Sequence, residues 1–278
     1  MAMKRVGVLY NPHSIISVEQ SADVAVWLRE QGLQVWHGVS QEGRDHPAEV
    51  ANLDLMIAMG GDGTVLRAAR LTYLHRTPVL PVALGHLSFM AEIGMEELFP
   101  ALGILASGGG WRDERAMLEV ELQREGQAIS HLACLNEAVI SRSDVSRIIK
   151  ADVSIDGWPL TTYHADGVLV ATATGSTGYA LAAGGPIMDP RSRALALVPI
   201  AAHLTNVPSM ILHEDAVLSI LLRSRHHASL AVDGRENIPL QSGDIVQVRR
   251  SQYITTFARV GRTSSFYTQL DRRLRRDG

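Results

Sequence analysis

With 278 residues, 46% of them hydrophobic, the chain can bury a sizeable core and is long enough for two domains. A formal net charge of −3 argues against bulk affinity for nucleic acid or acidic membranes, and a single cysteine, Cys134, leaves no disulfide framework or cysteine-built zinc site. With no signal-peptide pattern and no apolar run long enough to span a bilayer, the expectation is a cytoplasmic protein with neither membrane nor nucleic-acid partners.

In chain order, Lys4-Arg5-Val6-Gly7-Val8-Leu9-Tyr10 reads as a strand stopped by Asn11-Pro12. Ser17-Val18-Glu19-Gln20 resembles a capping box and predicts a helix that Gly32 ends. Strands follow at 33–36, 53–59 and 79–84, with a helix over 65–74. This alternation predicts a doubly wound α/β sheet with its ligand at the carboxyl ends of the strands. Ser107-Gly108-Gly109-Gly110 reads as a linker. Beyond it, apolar runs at 118–122, 129–140, 153–155, 168–172, 216–221, 229–232 and 244–249, separated by turns such as Asp156-Gly157, predict a mostly β second domain. The expected organisation is an α/β domain over 1–107, a β-rich domain over 108–265, and a tail over 266–278 that packs back on the first domain. The arginines of that tail, Arg272-Arg273-Leu274-Arg275-Arg276, read as a solvated terminus. Cys134, in an apolar pattern, reads as core.

The stretch that organises the chain is Met56-Ile57-Ala58-Met59-Gly60-Gly61-Asp62-Gly63-Thr64. A buried strand gives way to a glycine turn and then a helix, whose first N–H groups and positive dipole end suit a phosphate. Gly60, Gly61, Gly63 and Thr64 would form that loop. Asp62 is the odd member. A carboxylate beside phosphate is repelled unless a divalent cation lies between them or it accepts a proton from a nucleophilic hydroxyl, and both point to phosphoryl transfer. The plainer alternative makes Asp62 the helix N-cap.

Asn136-Glu137 places two polar groups inside an apolar run, costly unless they are hydrogen-bonded. Ribose hydroxyls of a ligand would satisfy them; so would water, if this is a strand end. After Tyr163-His164-Ala165-Asp166-Gly167 and an apolar strand comes Thr172-Ala173-Thr174-Gly175-Ser176-Thr177-Gly178-Tyr179-Ala180-Leu181-Ala182, a second place where backbone N–H groups can ring an anion or a base. Tyr179 adds a flat face for an aromatic ring. Asp233-Gly234-Arg235 reads as a hairpin turn before it reads as a site, and His203, His226 and His227 read as structural or surface residues.

Five features agree in order with one family: the strand ending in Asn11-Pro12; Gly60-Gly61-Asp62-Gly63-Thr64; Gly85-His86-Leu87-Ser88-Phe89; Leu135-Asn136-Glu137; and Asp166-Gly167 with the block running through Tyr179 to Gly184-Gly185-Pro186-Ile187. Over nearly its whole length the chain resembles bacterial NAD kinases (ATP-NAD kinases). The resemblance implies an N-terminal α/β domain with a doubly wound, parallel-type sheet and a C-terminal β-rich, β-sandwich-like domain. It implies transfer of the ATP γ-phosphate to the 2′-hydroxyl of the adenosine ribose of NAD, with a divalent cation such as Mg²⁺, in a homo-oligomer, dimer or tetramer. By position, Asp62 is the catalytic carboxylate, as base or linked to the metal, and Gly63 and Arg67 lie beside the nucleotide. Asn136, Glu137 and Arg147, on the strand after them, hold NAD, and His164 and Asp166 line the site. Thr174, Thr177, Gly178, Tyr179, Ala180, Leu181 and Ala182 wrap the dinucleotide, with Ala201 and Arg235 completing the set. Ala83, Ser88 and Ala182 stand where the family usually has asparagine, glycine and serine. A lipid kinase of the diacylglycerol or sphingosine type shares the glycine-Asp turn, but the chain shows no basic amphipathic helix for a lipid surface. A non-catalytic NAD or NADP-binding module is the rival of a different class, kept in view by Ala182 and Ser88.

Overall fold

The computed structural model describes residues 3–39, 48–85, 89–144, 147–203, 207–224, 226–262, 266, 267 and 270. His86, Leu87 and Ser88 of the third motif, and the arginines of the tail, lie outside the described residues. The chain divides into two compact units, Met1–Glu114 with Thr255–Gly278, and Arg115–Ile254.

In the first unit, β1 (Arg5–Tyr10), α1 (Ile15–Glu30), β2 (Gln34–Gly38), β3 (Leu55–Met59), α2 (Asp62–Thr72), β4 (Val79–Ala83), β5 (Ile93–Gly94) and α3 (Leu98–Ala106) follow one another. The strands pair in parallel in the order β2-β1-β3-β4-β5. β3 and β4 are buried at every residue, as the continuous apolar runs predicted for a covered parallel sheet. Val6, Ile57, Leu80, Val24 and Leu98 share the core beneath them.

The start of α1 differs from the expected capping box. Ser14, in an extended conformation, is the N-cap and accepts the Ser17 N–H at 3.3 Å. Ser17 is buried one turn further in, where its hydroxyl donates to the Met59 carbonyl at 2.9 Å. Contact with the end of β3 claims that hydroxyl and leaves capping to its neighbour. Gly32, at φ +79°, stops the helix as expected. The stretch 107–110, expected to be a linker, is a helix stop of the Schellman type: the Gly109 N–H reaches the Ile104 carbonyl and the Gly108 N–H the Leu105 carbonyl.

The second unit takes in most of β6 (Trp111–Arg124), then β7 (Gln127–Cys134), β8 (Glu137–Arg142), β9 (Ile149–Ile155), β10 (Trp158–Ala165), β11 (Gly167–Ala171), α4 (Tyr179–Ala182), β12 (Leu195–Ile200), β13 (Met210–Leu212), β14 (Leu218–Leu222), β15 (Ala228–Val232) and β16 (Arg235–Leu240). β17 (Ile245–Arg259) begins here and ends in the first unit, where Phe257 pairs with Val79. One antiparallel sheet runs β13-β12-β11-β8-β15-β16, and the other runs β10-β9-β14-β17, with β6 paired to β17 and β7 to β6. Val153, Ile220 and Val248 of one sheet and Ile140, Val168 and Leu230 of the other share one core, the β-sandwich arrangement expected.

β6 and β17 are far longer than the short runs read at 118–122 and 244–249, because buried and exposed residues alternate beyond those runs. The apolar run 129–140, read as one strand, breaks at Leu135-Asn136 into β7 and β8. β11 is apolar at successive positions although its sheet is antiparallel. Val168 and Val170 face the sandwich core, while Leu169 and Ala171 pack with Ala180 of α4 on the opposite face. The Asp156-Gly157 turn has φ of +52° and +81°, as a tight hairpin requires. Among the described residues no helix is long and apolar enough to cross a membrane.

Candidate functional site

The glycine turn of the first unit takes a simpler form than three permissive glycines suggest. Of the three, Gly60 alone has positive φ, +154°, and a Cβ there would meet the Thr64 hydroxyl. Gly61 is the N-cap of α2, with no side-chain cap, and Gly63 lies within the first turn. Asp62 is therefore the first helical residue and not the N-cap. Its carboxylate accepts the Met90 N–H at 3.2 Å, which fixes one oxygen from a segment 28 residues away. The Thr64 and Val65 N–H groups turn back on the Gly61 carbonyl, at 2.9 and 3.3 Å, while those of Asp62 and Gly63 precede the first turn's acceptors, a position that suits an incoming anion. Thr64 is buried beneath the turn, and Arg67 is half-buried one turn further along α2.

The remaining candidates lie in the second unit. Asn136 and Glu137 stand where β8 begins and are 8% and 6% exposed, so the water-facing strand end is ruled out. Asn136 Oδ1 and Glu137 Oε2 are buried without a hydrogen-bond partner. Such groups are costly to leave unmet, and hydroxyls of a ligand would meet them. The Thr172–Gly178 segment is built around this pair. The Thr172 hydroxyl donates to the Leu135 carbonyl and accepts the Gly175 N–H at 3.1 Å. A Cβ on Gly175 would collide with the Asn136 carbonyl, and one on Gly178 would sit 3.1 Å from Glu137 Oε2. The close approach is therefore possible only with glycine at 175.

Thr174 is buried, and its hydroxyl accepts from Arg115 Nη1 at 3.3 Å. Thr177 and Gly178 are half-buried, Ala180 is buried, Leu181 is half-buried, and Tyr179 and Ala182 are exposed. The structure therefore brings Asn136, Glu137, Gly178 and the Tyr179 N–H together, and sets Thr174 against Arg115. His164 is half-buried in β10, and its carbonyl accepts the His203 N–H at 2.6 Å. Asp166 is held in a two-point ion pair with Arg142, at 2.8 Å from Nε and 3.1 Å from Nη2. Ala201 is exposed, with φ +45°, just past β12, and Arg235 is the half-buried first residue of β16. Arg147 is not on a strand; it is exposed in the irregular run before β9.

Sequence reasoning missed Arg115, Arg142 and the second role of Asp233. Asp233 does sit in the expected hairpin turn, with φ +50° followed by Gly234 at +68°. Its carboxylate also accepts the N–H groups of Leu135, Asn136 and Glu137. No local signal links residues nearly a hundred positions apart. Cys134 is fully buried, and its thiol is pushed up by desolvation, as a core cysteine's should be.

Burial, reinforced by the negative Asp233, pushes the Glu137 carboxyl up to about 8, against a Tyr179 N–H that favours the ionised form. Burial likewise raises Asp233 to about 6. A carboxyl raised in the folded state binds its proton more tightly there than in the unfolded chain, so stability is greatest in acid and is lost as pH rises through the folded value. Urea unfolding should therefore show stability falling between pH 5 and 8, and Glu137→Gln should flatten that slope. An equal slope in both proteins would show that Glu137 is not the group responsible.

The ATP-NAD kinase N-terminal domain family matches residues 39–108, and the ATP-NAD kinase C-terminal domain family matches residues 135–260. The NAD kinase of Chloroflexus aurantiacus is 64% identical over 274 residues, covering 99% of each chain. That of Dehalococcoides mccartyi is 35% identical over 273 residues, covering 98% of this chain and 96% of its own. The fold is similar to that of yeast NADH kinase complexed with NADH, with a TM-score of 0.86 at 23% identity, covering 100% of this chain and 89% of that one. It is also similar to that of an NAD kinase from Archaeoglobus fulgidus in complex with ATP, with a TM-score of 0.75 at 20% identity, covering 99% and 100%. These relatives lend no support to the lipid-kinase reading or the non-catalytic one. By its two domain matches and by full-length identity, the chain belongs to the ATP-NAD kinase family.

Proposed function

We propose that the protein transfers the γ-phosphate of ATP to the 2′-hydroxyl of the adenosine ribose of NAD, producing NADP. The observation that carries this reading is the pair of buried, unpartnered oxygens on Asn136 and Glu137, an environment that hydroxyls of a sugar complete. Gly178 borders the pair, offering an approach for backbone, and the exposed ring of the next residue, Tyr179, is proposed as a face for a base. Thr177, Ala180, Leu181, Ala182, His164, Asp166, Ala201, Arg147 and Arg235 are proposed to line the rest of the dinucleotide's path.

Asp62 is proposed to act on the attacking hydroxyl. A secondary alcohol is a weak nucleophile at neutral pH, and a positioned base adds roughly 10²–10⁴-fold. The leading N–H groups of α2, with Gly61 and Gly63 bare of side chains, are proposed to receive the phosphates. Among the described residues no group of three or more His, Cys, Asp or Glu gathers to hold a metal. A Mg²⁺ coordinated by nucleotide phosphates needs one or two protein carboxylates, so Asp62 fits as a carboxylate ligand of a cation that arrives with ATP. Bound there, the cation would neutralise charge on the transferred group.

The direct test is incubation with ATP, Mg²⁺ and NAD, reading NADP by an NADP-specific dehydrogenase. One NADP is expected per ADP released; ATP hydrolysis without NADP would overturn the proposal. Asn136→Ala and Glu137→Gln should each raise KM for NAD about tenfold, in line with a lost hydrogen bond to ligand. Assembly as a dimer or tetramer is part of the same proposal, and light scattering on the purified protein reads it directly.

A further inference from the structure

Leu135, Asn136 and Glu137 interrupt an otherwise continuous apolar strand, and their backbone can be accounted for group by group. Asp233 Oδ2 accepts the Leu135 N–H at 2.9 Å, and Oδ1 accepts the N–H groups of Asn136 at 2.7 Å and Glu137 at 3.3 Å. The Asp233 N–H donates to the Glu137 carbonyl at 3.0 Å. Thr172 meets the other two carbonyls: its hydroxyl donates to Leu135 and its N–H donates to Asn136 at 2.8 Å. All six backbone groups are thus satisfied within the protein. What is left for a ligand is side chain alone, Asn136 Oδ1 and Glu137 Oε2.

We infer that Asp233 is a positioning residue of the dinucleotide site, its carboxylate gathering three successive backbone N–H groups so that the buried Asn136 Oδ1 and Glu137 Oε2 are held in place for a ligand. The turn itself does not demand a carboxylate. At φ +50°, asparagine or glycine would serve as well. Three converging donors do demand one, because an ionised carboxylate is acceptor-only on both oxygens. Asparagine would turn an NH₂ toward one of the three N–H groups, and the two donors would repel.

The inference rests on the reading that Asn136 and Glu137 hold NAD, so the test carries Asn136→Ala alongside Asp233→Asn. In Asp233→Asn, KM for NAD is expected to rise about tenfold while kcat stays within about threefold, because the aim of the site is altered and the reacting groups are not. Hydrogen exchange should quicken at the amides of 135–137 and stay unchanged across β9 and β14. Unchanged KM in Asp233→Asn, with Asn136→Ala impaired, would overturn the inference alone. Unchanged KM in both variants would overturn the reading beneath it. If Asp233→Asn fails to fold, the unmodified protein still decides: its 135–137 amides should exchange as slowly as those of the sandwich strands, and rapid exchange there would refute the clamp.

Discussion

Asp62→Asn is expected to lower kcat by roughly 10²–10⁴-fold, the range a positioned base supplies, while the affinity for NAD changes little. The two follow from where the residue sits. Asp62 is the first residue of α2, with one carboxylate oxygen fixed by the Met90 N–H. The unpartnered polar atoms proposed to hold the dinucleotide belong to Asn136 and Glu137. Asparagine keeps the acceptor for Met90 and loses the basicity, so the fold should be unaffected. Varying Mg²⁺ separates the two roles. A base predicts an inactive variant at every concentration, whereas a metal-holding carboxylate predicts partial recovery as Mg²⁺ is raised. A variant with near-normal kcat at ordinary Mg²⁺ would remove Asp62 from the mechanism.

Arg259→Met is expected to cost about 3–5 kcal/mol of stability, the usual penalty for breaking a buried ion pair by removing one partner. Arg259, at the end of β17, places Nε 3.1 Å from Asp113 Oδ2, and both side chains are almost fully buried. Its guanidinium also lies 4.7 Å from the centre of the Phe257 ring and donates through Nη1 to the Met90 carbonyl at 2.8 Å. The loss would be a large fraction of the ~5–15 kcal/mol that holds a typical domain together. Urea unfolding measures it. The double variant Asp113→Leu with Arg259→Met should recover much of that stability, since an apolar pair replaces the charges. It should not recover turnover, because the Met90 peptide that holds Asp62 has still lost its anchor. Full activity in the double variant would show that the Arg259 contact to Met90 is incidental.

How much of this was legible beforehand depends on range. The βα alternation, the Asp156-Gly157 hairpin and the stop at Gly32 are local, set by periodicity and turn chemistry, and they stand as read. The helix start was misjudged because Ser17 and Ser14 are equally good caps by composition, and only the distant Met59 carbonyl decides between them. The same holds at the site. Gly60-Gly61-Asp62-Gly63 declares itself through residue type. The burial of Asn136 and Glu137 does not, since it depends on Thr172 and Asp233 arriving from far along the chain. Arg142 carried no motif at all, and its place opposite Asp166 comes from the pairing of β8 with β11.

The first unit is assembled from two separate stretches of the chain, Met1–Glu114 and Thr255–Gly278. Translation therefore delivers Asp113 long before the guanidinium that neutralises it. At ~5–20 residues per second the ribosome keeps that carboxylate waiting for about 7–30 seconds. The 115–254 segment is contiguous and can mature during the interval. The Met90 peptide, whose N–H fixes one Asp62 oxygen, thus gains its Arg259 partner only after the whole 115–254 segment has been made.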